Sequence, residues 1–371
     1  MIQSLRLRVV ASLIATLGAC VLATPAAQAA EHWQRVADPA PGGTPDDGSF
    51  RIPDTAATVS GNTAYLVAIT PVGQLEVYRA RTGDARWRLI GKLHQSGSEA
   101  VGFPTIAVSG NTVWVAWYEL DNSDSLAYLH VAMSSGGGFR EVGRGGNNPL
   151  GGAGVFLATR PSIATFRGDV YIASASGVAR VSKNGRRVEQ VSAGAGLASG
   201  DRAWLVESGN RLYLVHGSGS STIVSRLNRR GSAWETVATT DVGLPSDAAA
   251  GGGTLYVVVD NGAGVVMRLT PAGTLEPLSD PGWRVEQVTV VRGTIYVGGR
   301  ETPAPEAPAE LKIFAFENGA WRQVADPVAP DLDVEQFDLI DGGANLWLHW
   351  VSTPRGPFSA PITVHVARLL R

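Results

Sequence analysis

The chain has 371 residues, 44% hydrophobic and 17% charged, with 45 glycines, 21 prolines and a formal charge of −2. That composition supports a sizeable core and excludes a disordered chain, and the lack of a basic tract argues against a nucleic-acid partner. The single cysteine, Cys20, lies near the N-terminus, so the remainder has no disulfide, thiolate nucleophile or cysteine metal site.

Residues 1–29 read as an export signal. Arg6 and Arg8 precede an apolar run from Val9 to Ala23, and Ala27-Gln28-Ala29 places small residues where a signal peptidase cuts. Leu17-Gly18-Ala19-Cys20 resembles a bacterial lipobox, so a lipid anchor at Cys20 is the alternative to release after Ala29. Either route takes the protein out of the cytoplasm, and no other stretch reaches the about 18 apolar residues of a membrane helix.

Residues 30–371 are organised by a phrase that recurs seven times: a glycine-rich turn, polar residues, then an apolar run centred on an aromatic. The aromatics are Tyr65, Trp114, Tyr171, Tyr213, Tyr256, Tyr296 and Trp347, spaced by 40 to 57 residues. This is the period of a four-stranded propeller blade. In the second unit the strands fall at 104–109, 111–118, 125–133 and 139–143, and both faces of the second strand are apolar, as burial between two neighbouring blades requires. The repeat aromatics are therefore expected in the core. Outer strands recur at 85–90, 186–191, 233–238, 274–279 and 320–327, whereas the seventh unit runs out before supplying one. The missing strand stands at the other end of the chain, as HWQRVADP at 32–39, nearly a copy of AWRQVADP at 320–327. The expected fold is an all-β, single-domain, seven-bladed β-propeller closed by an N-terminal strand that joins the last blade and protects its edge.

Two families are echoed by particular residues. IYVGG at 295–299 followed by IFAFENGAWRQVADP at 313–327 resembles a kelch repeat. FPTIAVSGNTVWVAW and RPSIATFRGDVYIAS resemble bacterial neuraminidase-type repeats, although at 80–87 only the tryptophan end of an Asp-box is present and Thr82 stands at its aspartate. Phe50-Arg51-Ile52-Pro53 is similar to the aromatic-Arg-Ile-Pro signature of sialidases, which implies that Arg51 is one of three arginines clamping a carboxylate. A planar guanidinium at the start of an inner strand suits that task.

Arg160, Arg202 and Arg284 lead the corresponding strands of the third, fourth and sixth units, with Asp247 and Glu335 near the same level in the fifth and seventh. A mixed ring of this kind at the channel mouth would bind a glycan or another acidic or polyhydroxylated small molecule. The resemblance also implies an acid/base carboxylate and a tyrosine nucleophile activated by glutamate. For those roles the chain offers only Glu76, in an expected strand, and Tyr78, Tyr118 and Tyr128. No nucleophile elbow, phosphate loop or zinc-protease helix is present. His216 and His349 fall at strand ends, where a structural role outweighs metal binding, and 119–124 lacks the spacing of a calcium loop. No cofactor or metal is implied. The leading reading is a secreted, monomeric binding module. The alternatives are a diverged sialidase-like glycoside hydrolase and a protein-interaction scaffold using the loops at 118–126, 300–310 and 351–361.

Overall fold

In the repeated phrase the glycine makes a two-residue hairpin. Ser60 pairs with Thr63 across Gly61-Asn62, and Gly61 sits at φ 61°, a backbone region that side chains with a Cβ disfavour. A two-residue turn recurs in the first six units and a four-residue turn joins Asp341 to Leu346 in the seventh, so the chain folds as successive antiparallel sheets. The computed structural model describes residues 31–41, 54–70, 74–94, 101–121, 126–135, 137–142, 152–154, 159–174, 177–192, 195–197, 202–302, 309–326, 332–354 and 362–371. All of its helical or strand elements are strands.

Strand β1 (His32–Arg35) precedes the first blade, which is β2 (Thr55–Ser60), β3 (Thr63–Ile69), β4 (Leu75–Arg81) and β5 (Arg88–His94). Blade 2 is β6 (Val101–Ser109), β7 (Thr112–Asp121) and β8 (Leu126–Ser135), with β9 (Gly138–Val142) and β10 (Gly152–Gly154) sharing the outer edge of β8. Blade 3 is β11 (Ser162–Phe166), β12 (Asp169–Ser174), β13 (Gly177–Val181) and β14 (Val188–Gln190). Blade 4 is β15 (Ala203–Ser208), β16 (Arg211–Ser218), β17 (Ser221–Leu227) and β18 (Trp234–Thr240). Blade 5 is β19 (Leu244–Gly251), β20 (Thr254–Asp260), β21 (Val265–Leu269) and β22 (Leu275–Pro277). Blade 6 is β23 (Gln287–Val291), β24 (Thr294–Glu301), β25 (Glu310–Glu317) and β26 (Ala320–Gln323). Blade 7 is β27 (Leu332–Asp341), β28 (Leu346–Pro354) and β29 (Thr363–Leu370), and its fourth strand is β1.

The sheets pack face to face in chain order. One apolar cluster joins blades 1 and 2 through Val67, Val77, Val115 and Trp117, and another joins blades 2 and 3 through Trp114, Leu129, Ile172 and Val181. The series continues through blades 3 to 7. It returns from blade 7 to blade 1 through Trp347, Val366, Ala64 and Ala80. The result is a ring of seven blades. Five of the repeat aromatics are buried, with Tyr65 and Tyr256 half-buried, so they serve the interfaces between blades.

In blade 7, His32 to Arg35 of β1 pair antiparallel with Leu370 to Ala367 of β29, and Ala40 bridges Val364. Val36 is fully buried there, and Trp33 Nε1 donates 2.6 Å to the carbonyl of Ala325 in blade 6. The strands differ from the sequence expectation mainly in length. β7, β24 and β28 run into the segments expected as long loops, because pairing with the next strand extends to Asp121, Glu301 and Ser352. β5 starts at Arg88 rather than 85, and bulges at Leu75/Glu76 and Val77/Tyr78 carry it on to His94.

Candidate functional site at the channel

Register places the inner-strand residues at defined depths. Thr58, Ala164 and Val206 pair with the repeat aromatics Tyr65, Tyr171 and Tyr213. Asp54, Arg160 and Arg202 each lie four residues before those partners, hence at one level at the start of the inner strands. Counted on the chain, the level lies eleven residues before each aromatic; it continues with Phe103, Pro245, Val285 and Gln336. Asp247, Gln287 and Asp338 lie two residues further along their strands.

Side chains at these two levels meet across the axis. Arg160 of blade 3 contacts Asp54 of blade 1 at 3.1 Å and Asp338 of blade 7 at 3.7 Å. Those blades are not neighbours of blade 3, so the contacts run through the central channel. Arg160 also donates to the carbonyl of Thr55 at 3.0 Å, an oxygen that Gln336 reaches from blade 7 at 3.1 Å. Asp338 then meets His349 Nδ1 at 2.8 Å, and His349 Nε2 faces Thr55 Oγ1 at 3.0 Å. Ionised Asp338 can only accept, so Nδ1 carries the proton donated to it. His349 is fully buried and holds blade 7 to blade 1.

The side chains of Asp54 and Asp338 each keep 27% exposure, yet protein surrounds them closely enough to perturb their protonation. Being wet and enclosed at once is the condition of a channel wall. Burial raises Asp54 above the usual carboxylate range against the pull of Arg160 and the Phe103 N–H. Burial pushes Asp247 up to about 7, more than the Val288 N–H at 2.9 Å and the charge of Arg202 offset. For Asp338 burial is outweighed by the His349 hydrogen bond and the Arg160 charge, which hold it well below that range. Desolvation by the enclosing channel walls also lowers Arg202, although its side chain keeps contact with water, and it lies within electrostatic reach of Asp247, Arg160 and Asp338.

Arg202 differs from Arg160. Its guanidinium stacks 4.9 Å over the Trp204 ring, is open to water, and makes no hydrogen bond or ion pair among the described residues. At the start of the inner strand of blade 2 stands Phe103, 42% exposed and at φ 53°, whose N–H donates to Asp54. Its strand is irregular between Gly102 and Thr105, and a bulge of this kind re-aims a side chain.

Of the residues that sequence singled out, Arg160, Arg202 and Asp247 fall in this cluster. Arg284 stands apart, 49% exposed and 3.6 Å from Glu286. Glu335 is drawn into blade 7: its carbonyl accepts from Arg300 and its carboxylate from Thr353 at 3.3 Å. Arg300 in turn pairs with Glu286 at 2.9 Å, so Arg284 and Glu335 border a separate ion-pair group. Arg51 and residues 1–29 lie outside the described residues. Asp54, Phe103 and Asp338 were missed, and the eleven-residue count back from each aromatic is the signal that finds the first two. Glu76 and Tyr78 do meet, but on the third strand of blade 1, with β3 between them and the channel. Burial and the Glu76 charge raise the Tyr78 hydroxyl, and Lys92 occupies Glu76 at 2.8 Å, the reverse of an activated nucleophile. Glu119 faces His130 at 3.1 Å instead of opening a cation loop. His216 Nδ1 lies 3.0 Å from the Gly217 carbonyl.

No protein-family model and no curated protein matches the chain. Among solved structures it is similar to a prolyl endopeptidase (15% identity, 86% of this chain and 51% of that one, TM-score 0.54). It is also similar to a protein of unknown function from Dyadobacter fermentans (11% identity, 92% and 99%, TM-score 0.50). A third is a Trypanosoma rangeli sialidase (12% identity, 86% and 54%, TM-score 0.47). At such identities the likeness is one of fold, and the chain is a seven-bladed β-propeller.

Proposed function

We propose that the protein is an exported binding propeller that takes a glycan or another acidic small molecule at the mouth of its channel. The observation that carries this reading is Arg202, a cation at the start of its inner strand with no carboxylate bonded to it among the described residues; the exposed ring of Phe103, at the start of the inner strand of blade 2, adds an apolar surface. A guanidinium fork matches a carboxylate, and an exposed aromatic face matches the apolar face of a sugar ring. Arg160, at the level of Arg202, is already engaged by Asp54 and Asp338. Release after Ala29 delivers this domain in soluble form, and mass spectrometry of the native N-terminus tests that route against a lipidated Cys20.

A second reading, a diverged glycoside hydrolase, is favoured by one specific feature. Asp247 is pushed up to about 7 while Asp338 is held ionised, and a split of this kind divides two carboxylates into acid and base. A glycan array of the domain, run beside a fluorogenic sialoside and arabinoside assay, separates the two. Binding without turnover supports the module. Turnover that Asp247→Asn abolishes while affinity is kept supports the hydrolase, and neither binding nor turnover overturns both.

A further inference from the structure

The inner-to-second hairpins and the third-to-outer hairpins turn at the end of the blades opposite the channel mouth described above. Between blades 3 and 4 these turns enclose a cleft of about 870 Å³ lined by Arg167, Arg211, Arg226, Arg229 and Arg230, with Glu235 as its one carboxylate. We propose that this cleft is a second binding site, for an oligoanion that carries two or more closely spaced phosphate or sulfate groups.

Several arginines elsewhere on the blades are neutralised across the strand or at an edge: Arg180 by Glu189 at 2.7 Å, Arg268 by Glu276 at 3.1 Å and Arg322 by Glu31 at 2.8 Å. In the cleft only Arg226 has such a partner, Glu235, at 3.5 Å. Arg167, Arg211, Arg229 and Arg230 have no carboxylate partner among the described residues, in a protein whose net charge is −2. Four unneutralised guanidinium groups around one concavity repel one another, and a multiply charged anion relieves that repulsion.

The cleft is also built before any ligand arrives. Arg167 lies 4.8 Å over the Phe166 ring and donates to Asn210 Oδ1 at 2.9 Å and to the Arg229 carbonyl at 3.1 Å. Two of its five N–H groups are thereby used to fix its plane, and the others are left to bind. Asn228 holds the turn that carries Arg229 and Arg230, accepting from Gly231 at 3.0 Å through its carbonyl and from Ser232 at 3.1 Å through its side chain. Arg211 leans on Tyr213 Oη at 3.3 Å. Because the cations come from three separate turns, a single monovalent anion meets only some of them, and selectivity for several charges on one molecule follows.

The test is titration calorimetry of the purified protein with sodium tripolyphosphate, with a heparin-derived tetrasaccharide and with methyl phosphate, in about 50 mM salt. Binding of either multivalent probe, at least about tenfold tighter than methyl phosphate and weakening as salt is raised, is expected, and the tighter probe identifies the anion as phosphate or sulfate. The double substitution Arg229→Ser, Arg230→Ser lies at an exposed hairpin tip, so the variant keeps the wild-type melting temperature while losing about tenfold or more in affinity. Arg229→Lys, Arg230→Lys recovers part of that loss. Arg86→Ser, at an exposed turn of blade 1 outside both sites, leaves this binding unchanged. Absence of binding by both multivalent probes, equal binding by the double Ser variant, or an equal loss of binding in Arg86→Ser each overturns the site.

Discussion

Arg160 and Arg202 occupy equivalent positions in adjacent blades, and their surroundings give them opposite work. Arg160 is bound by two carboxylates and a carbonyl, so Arg160→Ala leaves Asp54 and Asp338 facing each other without a cation. The expected loss is about 2 kcal/mol of stability, reduced from that of a fully buried pair because the channel is wet, and read by denaturant unfolding. Arg202→Ala removes no hydrogen bond among the described residues. It is expected to leave unfolding unchanged and to weaken an acidic ligand by about 1.5 to 3 kcal/mol, measured by calorimetry with the best array hit. Arg202→Lys should restore only part of that affinity. Asp247 makes a pH prediction. Its folded-state value is raised from 3.8 to about 7, so over that interval the unfolded chain ionises while the folded one stays protonated. Its contribution to stability is fully present below about pH 4 and is lost as pH rises through 7. Asp338, held low, contributes in the opposite sense, with stability present above about pH 4 and lost in stronger acid. Asp247→Asn therefore raises the melting temperature by a few degrees at pH 8 and changes it little at pH 4, and thermal scans across that range check both ends.

At the scale of elements, hairpin and strand identity were legible because a glycine-rich turn followed by an apolar run dictates an antiparallel pair, and seven copies at blade period leave no other architecture. The depth of a residue in the channel was harder to read, because inner strands start after loops of unequal length. The motif sets Arg51 at the level of Arg160, whereas register puts Asp54 there, three residues on. Asp338 was invisible because it lies inside a strand, β27, where a bulge between Val334 and Gln336 shifts the alternation. Arg284 and Glu335 failed to join the cluster because Glu286 and Arg300 lie between them as a better-matched pair. Inner strands of neighbouring blades also approach closely. A methyl group on Gly251, at the end of β19, would collide with Val290 of β23. Gly251→Ala should cost about 1 to 3 kcal/mol through overpacking, seen as a lower denaturant midpoint with an unchanged slope.

For the whole molecule the decisive contact is the one made last in sequence terms, between the two ends of the described domain. Every other blade completes itself from contiguous chain, but blade 7 has three strands of its own and takes its fourth, β1, from residues 32–35. Without β1, the backbone of β29 faces solvent as an unpaired edge, the burial that Val36 and Ala40 provide between blades 7 and 1 is lost, and Arg322 loses its bidentate partner Glu31. The Asp38–His365 contact, beside the ring of His365 stacked 4.8 Å from Trp350, goes with it. A chain beginning at Gly48 is therefore expected to lose about 3 kcal/mol or more, from the apolar burial of Val36 and Trp33 alone, and to aggregate through the exposed edge. Light scattering and thermal unfolding of the truncated protein measure both effects. A peptide spanning residues 31–41, added in trans, should restore the melting temperature in a concentration-dependent way, because it binds only the folded ring. A truncated chain that melts like the intact one, or that the peptide leaves unchanged, would mean that the seven apolar interfaces hold the ring without its shared blade.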